Sequence, residues 1–534
     1  MPRVLVVDSH TCGRRALAEK AAALLAGDGP CETVGPDGAR EAAERLRPEA
    51  LVYFCRRRRQ GGRDVPDLEE ARRVLAVEAP LRVLVGSAEV YAARPENPGF
   101  IRETAGRPQH LAAADPAAAW IALEEAAEGA AADGALVLLR PAPTPVEGGS
   151  DFFSRFYAGR VAVALMGHDP SLQVLDADDL AQAVRLAVRR GRAGAYNVAP
   201  DGVVPLKRAL RLVGARRLAA GWPGGQRQYI RYSWTVSNDK AKEELGFAPA
   251  RRSWEALARL AGSEAAEPEL DDYGMDPAYV DAYGRSLLKF LEKVYWRVEV
   301  DGYRHIPEAG GAVLAGVHRG FMPLDAVMFF HLVVQNRRRY PRFLIHPTLI
   351  KFACQFNFIT KLGGVVACQD NADRVLEENG VLGIYPEGIR GTFQHYRDSH
   401  TIGRFGRNNF VKIALKHRVP IIPFVNVGAA EIFPIVARLD WKWWKSFSLW
   451  PFFPIAPPFP LLPVPMPSKW HIQILEPMHV EKDYPPEAAD DRQAVKSISD
   501  EVRRRMQAAY DDLRGRRPNA FFGNVFDKER GGAG

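Results

Sequence analysis

The sequence predicts an α/β protein in two parts, a doubly wound parallel sheet followed by a second α/β domain. Three observations lead there. Apolar runs of strand length alternate with amphipathic stretches of helix length through both halves. An acidic, small-residue-rich junction at Gly262–Met275 interrupts that alternation. The chain has 534 residues, too many for one ordinary domain.

In the first half, Val4–Val7, Leu51–Phe54, Leu81–Val85, Ala135–Leu139 and Gln173–Leu175 read as buried strands, with helices at Arg14–Leu25 and near Asp67–Ala76. Strands alternating with helices join by right-handed crossovers and form a parallel sheet covered on both faces. After the junction, Asp276–Tyr295 reads as one long amphipathic helix. Tyr279, Tyr283, Leu287, Phe290, Leu291 and Val294 recur there at three-to-four spacing, which suits a core face or a bilayer interface. Gly311–Gly316, Gly380–Tyr385 and Pro420–Val427 read as strands, and Asp325–Val334 and Phe410–His417 as helices. Pro323 is expected at the first helical position, where its fixed φ fits. The boundaries drawn are 1–262 for the first domain, 263–297 for a linker with the amphipathic helix, and 298–525 for the second domain.

Composition narrows the class. Apolar residues make up 47% and charged residues 25%, as in a globular protein, and the net charge is +8. A mildly basic balance suits nucleic acid, anionic headgroups or phosphorylated substrates alike. The basic runs Arg56–Arg59 and Arg337–Arg339 read first as solvated loops or helix ends. Five scattered cysteines, Cys12, Cys31, Cys55, Cys354 and Cys368, have neither zinc-site nor disulfide spacing. A reducing, cytosolic setting follows, and Val4–Val7 is too short for a signal-peptide core. Ser446–Pro465 carries no charge, but Pro451, Pro454, Pro457, Pro458, Pro460 and Pro463 exclude a continuous spanning helix. That segment is expected to be buried or to touch a membrane surface. The neighbouring Trp441–Lys445 has the indole-and-lysine composition of a membrane–water interface.

The second half carries the chemistry. In Val317-His318-Arg319-Gly320-Phe321-Met322-Pro323-Leu324-Asp325, a strand delivers His318 into a loop and a helix begins near Asp325. The carboxylate can fold back onto one imidazole nitrogen, fix the tautomer and stabilise the imidazolium. Such a histidine is a natural general base, supplying roughly 10²–10⁴ in rate. Downstream, a strand ends in Tyr385-Pro386-Glu387-Gly388-Ile389-Arg390, and Val419-Pro420-Ile421-Ile422-Pro423 opens another.

These blocks, in this order, resemble the PlsC-like glycerolipid acyltransferases of the lysophosphatidic-acid type over about Val298–Lys482. The resemblance implies a C-terminal α/β glycerolipid-acyltransferase domain. It implies His318 as base, Asp325 as its orienter, and Glu387, Gly388, Arg390, Gly364 and Gln369 at the acceptor site. It further implies direct attack of a hydroxyl on an acyl thioester, with acyl-CoA or acyl-ACP as co-substrate. A lipid acceptor and a membrane surface follow as partners, at the cytoplasmic face, with no nucleic acid and no metal. Cys368 reads as plain core, and His395 and His417 as structural.

Two departures qualify the acceptor. The spacing is His-x6-Asp with Val317 in place of the family's asparagine, a form that looks like a divergent bacterial and neutral-lipid branch. Gln369 or a neighbour stands where the family's second block ends in a phosphate-binding arginine. An amide cannot make that charge-assisted bidentate contact, which puts lysophosphatidic acid in doubt and leaves Arg390 or Arg397 to compensate.

The first half resembles the extended short-chain dehydrogenases, the NAD-dependent epimerase/dehydratases, over about residues 3–260. The matching stretches are Val83–Tyr91, Asp176–Leu180, Ala195–Val198 and Lys240–Pro249. They imply a Rossmann-like doubly wound sheet. Its functional residues are depleted. Of the glycines that bring backbone to a pyrophosphate, Gly13 alone survives in Val7–Gly13, and Asp8 falls where the first should be. Ala117 and Ile121 replace the family's catalytic tyrosine and lysine, so Ser87 is vestigial. NAD(P) binding is therefore not expected, and no cofactor is required. Two other readings remain: an active NAD(P)-dependent epimerase or reductase anchored by its C-terminal domain, and a non-catalytic lipid-binding scaffold.

Overall fold

The computed structural model describes residues 2–9, 14–111, 115–131, 134–159, 161–163, 168–218, 225–264, 271, 273–320, 322–350, 353–406, 408–441, 444, 450 and 452–526. The chain divides into two units, Met1–Gly274 with Phe352–Asn357, and Met275–Lys351 with Phe358–Gly534.

The first unit is built on six parallel strands in the spatial order Gly194–Val198, Ala135–Pro141, Leu81–Val85, Ala50–Phe54, Val4–Asp8, Cys31–Val34. Numbered along the chain, that order is 6-5-4-3-1-2. The winding therefore reverses beside the first strand, where nucleotide crevices form in such sheets. Val4–Asp8, Ala50–Phe54 and Leu81–Val85 are buried at every position, which is why they read as unbroken apolar runs. Helix Leu68–Leu75 starts where expected because the Asp67 side chain accepts from the Glu70 N–H.

Two expectations fail in this unit. Gln173–Leu175 is not a strand of the sheet. The local strand is Ser171–Leu172, paired with Val204–Pro205, and the buried Gln173 amide satisfies Val236 and Pro200 instead. Arg56–Arg59 is not a loop: Arg57–Gln60 forms a hairpin with Arg63–Pro66, and Arg57 turns inward with 12% of its side chain exposed, while Arg56, Arg58 and Arg59 stay solvated.

The second unit has a seven-stranded sheet in the order Glu299–Asp301, His471–Ile474, Ile421–Val427, Ala312–Gly316, Val381–Ile384, Arg342–Ile345, Val365–Val366. His471–Ile474 runs antiparallel to Ile421–Val427, while the strands from Ile421–Val427 to Val365–Val366 are mutually parallel. Side chains alternate between two apolar cores. Ala312, Leu314 and Ile422 join Trp296, Phe329 and Trp470 in one; Val313, Ala315 and Ile421 join Phe410, Val502 and Leu513 in the other.

The predicted long helix is interrupted. Pro277–Arg285 ends at Ser286 (φ −111°, ψ −99°), followed by Leu287–Phe290 and a wide turn over Leu291–Tyr295. Tyr279 and Tyr283 pack on the core, but Leu287, Phe290 and Val294 are exposed, so the stripe does not serve one buried face. Pro323 sits one position earlier than expected, as the N-cap of Leu324–Arg337. Among the described residues, no helix is long and apolar enough to cross a membrane.

Candidate functional site

Strand Ala312–Gly316 lies beside Val381–Ile384, with Ala315 paired to Ile384. This register brings the residues just beyond each strand together. A Cβ at Gly316 would strike the rings of Phe424 and Tyr385, so glycine is needed where the chain turns toward His318. The His318 and Tyr385 rings then stack, with centroids 4.6 Å apart. Burial, with the Asp325 charge adding to it, holds the Tyr385 hydroxyl well above its usual pKa, so the ring stays neutral.

Asp325 is buried in the first turn of Leu324–Arg337. Its Oδ2 meets His318 Nδ1 at 2.7 Å and accepts from the Arg319 N–H at 3.0 Å; its Oδ1 accepts from the Ala326 N–H at 2.8 Å. With Nδ1 donating to the carboxylate, the neutral ring carries its lone pair on Nε2.

A cavity of 670 Å³ opens beside this pair. His318, Gln369, Glu387, Gly388 and Arg390 line it, among many apolar side chains that include Phe343, Leu349, Ile389, Phe410 and Trp450. That volume and lining suit an apolar ligand oriented by a few polar groups.

The predicted residues separate by role in the geometry. Gln369 opens helix Gln369–Glu377, and its amide donates to Asp373 Oδ1 at 2.9 Å. Asp373 also accepts from Lys416 and pairs with His417 Nε2 at 2.7 Å, which makes His417 part of a polar cluster. Arg390 is exposed at the cavity, whereas Arg397 pairs with its neighbour Asp398 at 3.6 Å and is not in the lining. Gly364 is not in the lining either, and a Cβ there would press on Ile359. Cys368 lines the cavity, but burial pushes its thiol up to about 11.

Glu387 has both carboxylate oxygens engaged by protein. Oε2 accepts from Arg319 Nη1 at 2.7 Å, and Oε1 from the Gly403 N–H at 2.7 Å. Arg319 also donates to the carbonyls of His318, Ser399 and Thr401. This arginine was missed in the sequence, where it reads as a loop residue beside His318. The available signal was a lone glutamate at the end of a buried strand, which requires a cation nearby.

In the first unit, Gly13 lies outside the described residues. Ser87 caps a short turn and donates to Glu89 Oε1 at 3.2 Å, while Arg57 Nη1 donates to the same oxygen at 2.6 Å. The Arg57 guanidinium lies 4.7 Å from the centroid of the buried Trp120 ring. Ser9 Oγ donates to Glu70 Oε1 at 2.6 Å, with Phe54 O 3.1 Å away. Beside Arg57 and Phe54 lies a small cavity of about 20 Å³, room for a single water. Among the described residues, no group of three or more His, Cys, Asp or Glu is arranged to hold a metal ion.

The family model named Acyltransferase matches residues 297–427, the stretch that contains the His318–Asp325 pair and Pro386-Glu387-Gly388. The second unit therefore carries an acyltransferase domain. An uncharacterized protein of Mycobacterium leprae is 33% identical over 296 residues, 54% of this chain and 79% of that protein. An uncharacterized protein of Mycobacterium tuberculosis is 34% identical over 295 residues, 54% of this chain and 80% of that one. The chain belongs to the family of these mycobacterial proteins. Structural neighbours of the N-terminal half include UDP-N-acetylglucosamine 4-epimerase from Bacillus cereus, at 14% identity and TM-score 0.37, covering 49% of this chain and 98% of that one. UDP-glucose 4-epimerase from Thermotoga maritima is similar at 14% identity and TM-score 0.39, covering 49% and 97%.

Proposed function

We propose that the second unit moves a fatty acyl chain from an acyl thioester, acyl-CoA or acyl-ACP, to a hydroxyl of a lysophospholipid or a neutral glycerolipid. The observation that carries this reading is the His318–Asp325 pair in the wall of a largely apolar 670 Å³ cavity. His318 Nε2 takes the proton of the acceptor hydroxyl as its oxygen attacks the thioester carbonyl. Asp325 holds the ring and stabilises the imidazolium. The C–S bond then breaks, and the imidazolium returns its proton to the departing thiolate. No acyl-enzyme and no cofactor take part.

The acceptor end favours a neutral or broad lipid over lysophosphatidic acid alone. Gln369 is neutral and already bonded to Asp373, so Arg390 is the cation left in the lining to meet a phosphate. The first unit serves as an accessory without redox chemistry, and the enzyme works at the cytoplasmic face of a membrane, where the lipid acceptor resides and a soluble acyl thioester can reach it.

The test is to incubate the full chain with labelled acyl-CoA or acyl-ACP and a mixed lipid extract, and to identify the labelled product. Wild type should label a glycerolipid, and a folded His318→Ala protein should lose at least about a hundredfold in rate. Equal turnover by that variant would sink the assignment of the base. Absence of label with every donor and acceptor would sink the activity itself.

A further inference from the structure

Three separate segments of the second unit, tied to one another by hydrogen bonds, leave their largest apolar side chains uncovered. The first is the end of the interrupted helix, with Leu287, Phe290 and Val294 exposed. The second is the proline-rich stretch, with Leu461 at 90% exposure and Leu462 and Val464 beside it. The third is the turn after helix Arg492–Arg516, with Phe522 at 68% and Phe521 also exposed. Hydrogen bonds join the three. Tyr295 Oη donates to Pro465 O at 2.7 Å, and Arg297 Nη2 donates to Phe521 O at 2.9 Å.

The display is built. The N–H groups of Phe521 and Phe522 both donate to Asn519 Oδ1, at 2.8 and 2.7 Å, fixing a turn that aims the two rings outward. Leu462 N–H donates to Pro458 O at 3.0 Å. Phe290 stacks on Tyr295 at 6.2 Å and still leaves half of itself uncovered. A fixed turn that exposes two phenylalanines forfeits the burial they would gain elsewhere.

Charge decides what this face fits. Lys289 and Lys293 alternate with Leu287, Phe290 and Val294 and are exposed, Lys293 being paired in part with Glu292. Arg297 sits between the helix end and the phenylalanine turn, its guanidinium 5.7 Å from the Phe522 ring centroid. Glu292 points inward, to His331 at 3.1 Å. Protruding apolar tips among lysines whose heads can snorkel are the composition of an interfacial anchor, not of a groove for a peptide.

We infer that this face, centred on Phe290, Leu461, Leu462 and Phe522, is the docking surface for an anionic phospholipid bilayer, with the apolar tips in the acyl boundary and Lys289 and Lys293 at the headgroups. The inference rests on the acyltransferase reading only in that lipid substrates give the docking a purpose, and it is tested apart from activity. The full chain is sedimented with vesicles of phosphatidylcholine mixed with phosphatidylglycerol, and with phosphatidylcholine alone. The Leu461→Ser/Leu462→Ser/Phe522→Ser variant should partition at least about tenfold more weakly into mixed vesicles, with the thermal midpoint of wild type. The Lys289→Gln/Lys293→Gln variant should lose the preference for anionic vesicles and keep the residual binding to neutral ones. His318→Ala should bind vesicles like wild type, so a failed catalytic assignment leaves this result intact. Unchanged partitioning of the triple variant overturns the inference. So does a wild-type dimer that ignores vesicles and falls to monomer in the triple variant, since a second copy would then cover the face.

Discussion

Arg319 and Glu387 form an ion pair of 2.7 Å, with both side chains nearly excluded from solvent, that ties the His318 loop to the Pro386-Glu387-Gly388 turn. Burying two charges is costly, and deleting one partner leaves the other uncompensated, at about 3–5 kcal/mol. Arg319→Leu should therefore lower the unfolding free energy of the second unit, read from a urea titration, by that order. Arg319→Met/Glu387→Met should recover much of the loss. Glu387→Gln keeps the shape and one acceptor, so it should fold, with a lower kcat and a smaller change in KM. A double variant no more stable than Arg319→Leu would show that the pair does not account for the cost.

Gly388 is a different kind of constraint. Its φ of +56° and ψ of −149° lie where glycine alone is comfortable, yet a Cβ added there would meet nothing within 4 Å. Gly388→Ala should cost about 1–3 kcal/mol through backbone strain alone. If space were the determinant, the substitution would be silent in an unfolding titration and would disturb only ligand binding.

These two cases mark what was legible in the sequence. The strands Val4–Asp8, Leu81–Val85 and Ala312–Gly316 were readable because full burial leaves an uninterrupted apolar run. The His318–Asp325 pair was readable because strand, loop and helix lie consecutively in the chain. Arg319–Glu387 was not, since 68 residues separate the partners and no local pattern joins them. The break at Ser286 was equally hidden: Tyr279 and Tyr283 serve the core while Leu287 and Val294 face solvent, and spacing alone merges them into one stripe. The short strand Cys31–Val34 lies at the sheet edge with no fully buried position, so it lacks the run that reveals its neighbours.

Cys368 lines the cavity beside Gln369, a position that invites reading it as a nucleophile. Burial raises its thiol to about 11, so the reactive thiolate is scarce at neutral pH. Cys368→Ala should keep transfer activity within about twofold, well short of the roughly hundredfold or greater loss expected for a catalytic group. Iodoacetamide should label Cys368 slowly at neutral pH, as followed by peptide mass spectrometry. Rapid labelling with parallel loss of activity would contradict this environment.

His471 supplies a pH test of the second unit's stability. It is fully buried at the start of strand His471–Ile474, with Nδ1 3.1 Å from Glu299 Oε2. Burial, helped by the charges of Arg517 and Lys469, outweighs Glu299 and lowers its pKa from 6.5 to about 4. The unfolded chain therefore binds a proton near pH 6.5 that the folded chain refuses until about pH 4. Between those values the unfolded state holds more protons, so stability rises with pH and is lost as pH falls through that window. The loss from this one group is on the order of 3 kcal/mol. Urea unfolding followed by tryptophan fluorescence between about pH 7 and pH 4.5 should show the decline in wild type. The decline should be shallower in His471→Gln, which has nothing to titrate. Parallel curves for the two proteins would mean that His471 takes up its proton equally in both states.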